Sequence, residues 1–457
     1  MSILFTHGYF LCEDPKEQEI MKPYVPLGIL YISAYLEKNG ISNEVFDSTF
    51  SSFDELKSKL IAERPEILAI YTNLMTKLNV LKIIRLVKNE LKLIDTKIIL
   101  GGPEVRHHLK NFLEYGADMI VIGEGEETML EICNYYKEHK TLPVNCNGTA
   151  FIETTTNSVK INPERNLIKS MDEICVPARN KIDLRKYLNA WKSKHGYSML
   201  SVSTMRGCPY TCKWCSRAVY GGTYRRRKPA LVAEELLQIK NEYQPDRIWF
   251  VDDVFTISHK WLEEFAKEVK SKNAIIPFEI ITRADRLNEA VIKTLKDCGC
   301  FRIWIGAESG SQKIIDAMDR RVEAGQVREM IKLTRKNGME AGTFIMLGYP
   351  GEEKNDIKET IEHLIDANPD QYTITIAYPI KGTQLYSEVE SQITTVNEWE
   401  NSTDRDIDFK RARSHKFYEY GVRWVYNAVN AEREKNFFKR TKLRLKAVAS
   451  QIMMGVS

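Results

Sequence analysis

Short β-prone runs alternate with helical patterns twice along this 457-residue chain, and that alternation constrains the fold more than any other feature. In the first series the candidate strands are Ile3–Thr6, Glu44–Asp47, Ile67–Tyr71, Lys97–Leu100 and Met119–Ile122. The helical patterns are Leu27–Lys38, Phe53–Glu63, Leu78–Lys92, Arg106–Tyr115 and Glu126–Lys137. Leu27, Leu30, Tyr31, Ala34 and Tyr35 recur at helical spacing. Consecutive strand–helix units predict a parallel sheet with helices on both faces and ligands beyond the carboxyl ends of its strands. In the second series the strands are Met199–Ser203, Arg247–Val251, Phe278–Ile281, Phe301–Gly306, Gly342–Leu347 and Tyr372–Ala377. Helices are expected at Leu231–Tyr243, Lys260–Ser271, Glu289–Asp297, Gln312–Met318, Ala324–Asn337 and Asp356–Ala367. This series predicts a partial barrel whose site lies in the strand-end loops. Between the two, Thr149–Glu153 and Val159–Ile161 read as a hairpin, and Pro163 and Pro177 break regularity.

The loop after the first barrel strand holds Cys208, Cys212 and Cys215 in the spacing C-x3-C-x2-C. Three thiolates so close suit a 4Fe–4S cluster, whose fourth iron stays free for a small molecule. The alternatives are a structural zinc site or buried thiols. Zinc wants a fourth ligand, and only His195 is near in sequence.

Other strand ends carry polar or glycine-rich turns. Gly101-Gly102-Pro103-Glu104 and Gly123-Glu124-Gly125-Glu126 let backbone approach a large ligand, or simply turn tightly. Neither a P-loop nor the dinucleotide fingerprint occurs at the first turn. Asp252-Asp253 follows an apolar strand, so this pair needs a cation, a wet rim or a helix to cap. Arg283 can face a bound carboxylate or a structural acid.

With Trp214 at the aromatic position, C-x3-C-x-aromatic-C after a short apolar strand resembles the signature of the radical S-adenosylmethionine (radical SAM) enzymes. Gly306-Ala307-Glu308-Ser309-Gly310, Gly348-Tyr349-Pro350-Gly351-Glu352 and Pro379 to Tyr386 resemble family motifs at successive strand ends. Pro26-Leu27-Gly28, Asn39-Gly40 and the two glycine turns above resemble the cobalamin-binding domain attached to many of these enzymes. Together the resemblance spans nearly all of residues 1–390.

The resemblance implies an α/β chain with a Rossmann-like, flavodoxin-type cobalamin-binding domain over 1–140 and a connector over 141–197. A partial (β/α)6 radical SAM barrel follows over 198–390; the resemblance ends there, and helical patterns with Tyr418, Trp424 and Val425 read as a small helical, basic appendage over 391–457. The implied cluster ligands are Cys208, Cys212 and Cys215. The implied S-adenosylmethionine contacts are Trp214, Asp252, Asp253, Arg283, Glu308 and Gly348, with Glu308 accepting from the ribose hydroxyls. Asp252-Asp253 stands where many members have Gly-Gly-Glu. The implied cobalamin contacts are Thr6, Thr72, Gly101, Gly102, Gly123 and Glu124. Asp-x-His-x-x-Gly, whose histidine ligates cobalt in other cobalamin proteins, is absent; His7, His107 and His108 stand in other contexts. The implied activity is methyl transfer to an unactivated carbon of a small molecule or lipid, through a 5′-deoxyadenosyl radical and with a low-potential electron donor. Two other readings stay open. One is a radical SAM cyclase or rearrangement enzyme resembling the anaerobic magnesium-protoporphyrin ester cyclase. The other is a non-catalytic cobalamin or iron–sulfur protein.

Lys plus Arg is 66 against 62 Asp plus Glu, a net charge of +4 and too balanced to argue for nucleic acid. Nine cysteines, three in one loop, fit a reducing compartment, with Cys133, Cys146 and Cys175 as buried free thiols. The sequence shows no signal peptide and no membrane-spanning run, so a cytoplasmic enzyme is expected. Arg225-Arg226-Arg227-Lys228 is expected to be locally structural. Arg433 to Lys446 is basic and interleaved with Phe437, Phe438, Leu443 and Leu445. It is either an amphipathic helix lying on an anionic membrane or a helix packed on the barrel with a solvated basic side.

Overall fold

The computed structural model describes residues 1–395 and 397–457. β1 (Ile3–His7), β2 (Glu44–Val45), β3 (Ile67–Tyr71), β4 (Lys97–Gly101) and β5 (Met119–Val121) form a parallel sheet in the order 2-1-3-4-5. Along these strands Ile3, Phe5, Ile67, Ala69 and Ile99 enter one core, and Leu4, Leu68, Ile70, Ile98 and Leu100 enter the other. The two-residue period therefore buries both faces, as a helix-covered parallel sheet requires. The hairpin β6 (Thr149–Glu153) and β7 (Ser158–Ile161) adds to this sheet antiparallel to β5. It occupies an edge that would otherwise expose unpaired backbone.

The second sheet is opened by β8 (Met199–Val202). A two-residue clip, β9 (Met205–Arg206) with β10 (Arg225–Arg226), closes the cysteine loop at its base. Then follow β11 (Arg247–Phe250), β12 (Phe278–Thr282), β13 (Cys300–Glu308), β14 (Glu340–Leu347) and β15 (Gln371–Ile376). All six main strands are parallel, in the order 8-11-12-13-14-15, and curl into a half-barrel. Side-chain caps start its helices where the sequence offers them: Ser258 accepts from the Trp261 amide and Asn288 from the Val291 amide.

Four local features depart from the expected elements. The helix expected over Leu78–Lys92 is α-helical only over Lys77–Arg85 and then widens into a π turn, Leu86–Glu90. The helix expected from Arg106 breaks at His108 into a 3-10 turn, Val105–His107, and a helix, Leu109–Glu114. The connector contains an unexpected helix, Leu184–His195, pinned by the Trp191 indole donating to the Pro23 carbonyl at 3.0 Å. Finally, the polar stretch before residue 408 crosses back onto the first domain, where Lys77 donates to the carbonyls of Trp399 (2.6 Å) and Ser402 (2.7 Å). Two long helices, His415–Arg433 and Phe437–Val456, fold back on each other, and the first packs on the barrel helix Lys354–Ala367. Among the described residues no helix is long and apolar enough to cross a membrane.

Candidate active site

The strand ends of the two sheets face each other across one cavity of about 410 Å³. The first domain contributes Tyr71, Gly101, Gly102, Pro103 and Gly123. The half-barrel contributes Cys208, Cys215, Val251 and Asp253, with Ser216 to Gly221 of the cysteine loop. No histidine lines it among the described residues. Gly102 shows why the turn is glycine: its φ is +106°, and a Cβ would sit 2.3 Å from the Thr72 carbonyl oxygen. Thr72 thus packs behind the wall rather than on it, and its buried hydroxyl has no partner among the described residues. Thr6 is also off the wall, its hydroxyl donating to the Phe46 carbonyl at 2.9 Å.

Two buried arginines converge on the middle cysteine. The Cys212 sulfur is 3.8 Å from Arg283 Nη1 and 3.7 Å from Arg320 Nη1. Arg283 is locked by the Asp285 carboxylate (2.8 Å), the Arg320 carbonyl (2.8 Å) and the face of Tyr210 (3.9 Å). Arg320 donates to the Gly306 carbonyl at 3.0 Å and lies 3.6 Å from the Glu308 carboxylate. Gly306 makes this possible, since a Cβ there would meet Arg320 Nη2 at 2.3 Å. At the same point the β13–β14 register slips, and Glu308 takes φ +65°. A register slip and a left-handed residue together re-aim a side chain at a strand end. Burial raises the Glu308 pKa, against the pull of the Arg320 and Arg283 charges. Trp214 lies under Arg320, 5.8 Å from its guanidinium, in a cluster with Ile314, Met318 and Tyr349.

This donor set fits a cluster better than zinc. His195, the fourth zinc candidate, has its Nε2 3.1 Å from the carbonyls of both Ile20 and Met21. Cys215 is open to the cavity yet deep among protein atoms, and that depth pushes its thiol up to about 12. Burial raises Cys208 as well. A bound cationic centre is what turns such thiols into thiolates.

Three expected ligands have other partners. Asp252 is buried and off the cavity wall. It accepts from the Thr204 amide (2.7 Å), the Thr204 hydroxyl, the Met205 amide (3.2 Å) and Arg226 (3.3 Å). Its neighbour Asp253 faces the cavity, with a pKa raised by burial and then by the charge of Asp252. Glu124 borders the cavity, but its oxygens take Arg206, Arg225 and the Ile168 amide, each at 2.8 Å. Together with Glu126 on Arg206, these buried ion pairs pin the barrel to the first domain. Gly348 (φ +77°) donates to Glu352 and accepts from Arg411 at 3.0 Å. Burial pushes the Glu352 carboxyl up to about 8. The basic run is structural, as expected: Arg225 pairs with Glu124, Arg226 with Asp252 and Arg227 with Glu235.

Sequence reasoning missed Arg320. It sits in Asp319-Arg320-Arg321, which reads like any solvated charge run. It also missed a buried group behind the cavity loop, where His108 Nε2 lies 3.7 Å from Glu104 and 3.9 Å from Asp404. The Trp399 indole donates to His108 Nδ1 at 3.1 Å. A neutral His108 then carries its proton on Nε2, facing the carboxylates, and has no ring lone pair left for a metal ion. Burial holds the His108 pKa down at about 3 and pushes Glu104 up to about 7.

Fold and site together are those of a radical SAM half-barrel joined to a B12-binding domain. The radical SAM superfamily model matches residues 202–364, and the B12 binding domain model matches residues 19–133. The chain belongs to the radical SAM enzymes that carry a cobalamin-binding domain. It is 28% identical over 391 residues to an uncharacterized methyltransferase of Pyrococcus horikoshii, covering 83% of this chain and 82% of that protein. It is 24% identical over 405 residues to the anaerobic magnesium-protoporphyrin IX monomethyl ester cyclase of Rubrivivax gelatinosus, covering 86% and 71%. Its fold matches the cobalamin-dependent radical SAM enzyme OxsB, solved with aqua-cobalamin bound, at a TM-score of 0.75. That match has 16% identity over 99% of this chain and 72% of OxsB.

Proposed function

We propose that this chain is a cobalamin-dependent radical SAM methyltransferase acting on an unactivated carbon of a small molecule or lipid. The observation that carries this reading is the cavity walled by the strand ends of both domains. When bound, the cluster and S-adenosylmethionine supply a radical that abstracts hydrogen, and cobalamin supplies a methyl carrier. Cys208, Cys212 and Cys215 hold the cluster. Arg283 and Arg320 offset negative charge at the Cys212 sulfur and keep its loop in place. Glu308, steadied by Arg320, offers its carboxylate to ribose hydroxyls, and Trp214 supports the loop from below. Asp253 faces the cavity from the end of β11 and is the stronger candidate of its pair for an ammonium group. Gly101, Gly102 and Gly123 present backbone to the cavity on the B12 side. The apolar part of the wall, including Leu27, Ile32 and Val121, offers an apolar surface to the unactivated part of a substrate. The other partner in this reading is a low-potential electron donor.

The test is anaerobic reconstitution with iron, sulfide and hydroxocobalamin. About four irons and one cobalt per chain are expected, and iron alone is lost in the Cys208→Ala, Cys212→Ala, Cys215→Ala triple variant. Iron retained by the triple variant refutes the site. The likeness to the cyclase keeps oxidative cyclisation as a second reading. Methyl-labelled S-adenosylmethionine separates the two, because only a methyltransferase passes the label to product.

A further inference from the structure

The Phe437–Val456 helix has two apolar faces, and only one of them is used. Its inward face carries Ala447, Ser450 and Met454, and the Met454 methyl reaches Gly421 of the preceding helix. At 100° per residue, the opposite face carries Phe438, Leu445, Val448, Ile452 and Val456. All five are exposed, Phe438 at 81%, Leu445 at 67% and Ile452 at 62%. A helix that merely packs on a domain would carry polar residues there. The flanks are basic on both sides: Lys439, Lys442 and Lys446 along one edge, Arg440 and Arg444 along the other. No Asp or Glu occurs between Lys435 and Ser457. The one acid that meets this helix is Glu432, 3.0 Å from Arg444, among the described residues.

We propose that this outer face docks on an anionic phospholipid surface, with the apolar row entering the headgroup boundary and the two basic rails meeting lipid phosphates. The charge pattern selects this occupant over a second copy of the chain. Two such faces brought together would set four rails of like charge side by side, whereas an anionic leaflet neutralises both rails at once. The helix does not span the bilayer, because its inward face is committed to the protein. The inference stands on this helix alone and is independent of the reaction catalysed at the cavity.

The experiment is sedimentation of the full chain with vesicles of phosphatidylcholine alone and of phosphatidylcholine mixed with phosphatidylglycerol. Binding to the mixed vesicles is expected, weakening with salt. Leu445→Glu with Ile452→Glu should weaken it by about ten-fold or more. Both side chains are exposed, so the variant should keep the wild-type unfolding midpoint and iron content. Lys442→Glu with Lys446→Glu should weaken binding to mixed vesicles while leaving the apolar row intact. No binding to mixed vesicles overturns the proposal. So does binding that the Leu445→Glu/Ile452→Glu variant retains, or a vesicle-free dimer that the same variant dissolves.

Discussion

Asp252 and Asp253 are adjacent in sequence but do different jobs, and substituting each in turn tests this directly. Asp252→Ala removes the carboxylate that accepts from two backbone amides and the Thr204 hydroxyl at the entrance to the cysteine loop. It also strips Arg226, whose side chain is 3% exposed, of its acid. Breaking a buried ion pair from one side costs about 3–5 kcal/mol, and each buried amide left unpaired adds about 1–3 kcal/mol. Arg226 recovers part of this, since it keeps the Phe255 carbonyl at 2.6 Å and the face of Trp261 at 3.4 Å. A net loss of about 4 kcal/mol is therefore expected, enough to move a urea midpoint by about 1 M or more. Asp253→Asn, at a wall position, should leave that midpoint unchanged and weaken S-adenosylmethionine binding instead. The assay is tryptophan fluorescence against urea, read as a midpoint because two domains need not unfold together, with equilibrium dialysis of S-adenosylmethionine on the reconstituted protein. An Asp252→Ala protein of normal midpoint that has lost S-adenosylmethionine binding would refute the division of labour.

Gly102→Ala should lower both stability and cobalt content, because its Cβ would lie 2.3 Å from the Thr72 carbonyl; unchanged cobalt stoichiometry would show that this turn does not shape the B12 side. Glu308→Gln should raise the Kd for S-adenosylmethionine by about ten-fold, roughly 1.4 kcal/mol, while iron content stays at wild type; loss of iron instead would place Glu308 with the cluster. Glu104 has a folded pKa of about 7 against an ordinary 4.5, from burial first and then the Asp404 charge. The folded state thus holds the proton more tightly. The stability this contributes is complete below 4.5 and is lost as pH rises through about 7. Glu104's contribution to the unfolding free energy should therefore fall as pH rises through that window, by at most about 1.4 kcal/mol per pH unit, and lower the urea midpoint with it. Glu104→Gln should flatten the slope, with Glu352→Gln as the control for a second carboxyl raised by burial; an unchanged slope in Glu104→Gln would refute this role.

The order of strands and helices was legible because both signals are local: an apolar strand buried on two faces reads as a short β-prone run, and an amphipathic helix reads at its own period. The cysteine loop was legible for the same reason, since three ligands within eight residues need no tertiary information to be neighbours. Loops after strands Lys97–Gly101 and Met119–Val121 were marked by glycines whose backbone the fold requires.

What the sequence could not carry was which polar side chains are free. Asp252 and Asp253, or Glu124 and Gly123, look equivalent in one dimension. Only the packing of the barrel against the first domain decides that Asp252 is taken by Thr204 and Arg226, and Glu124 by Arg206 and Arg225. Arg320 becomes a neighbour of Cys212 only through a contact 108 residues apart in the chain. The clasp of Trp399 and Asp404 on His108 spans almost 300 residues. Such pairings carry no period and no spacing. They are set by which strand ends come together, and that is decided by burying two sheets at once.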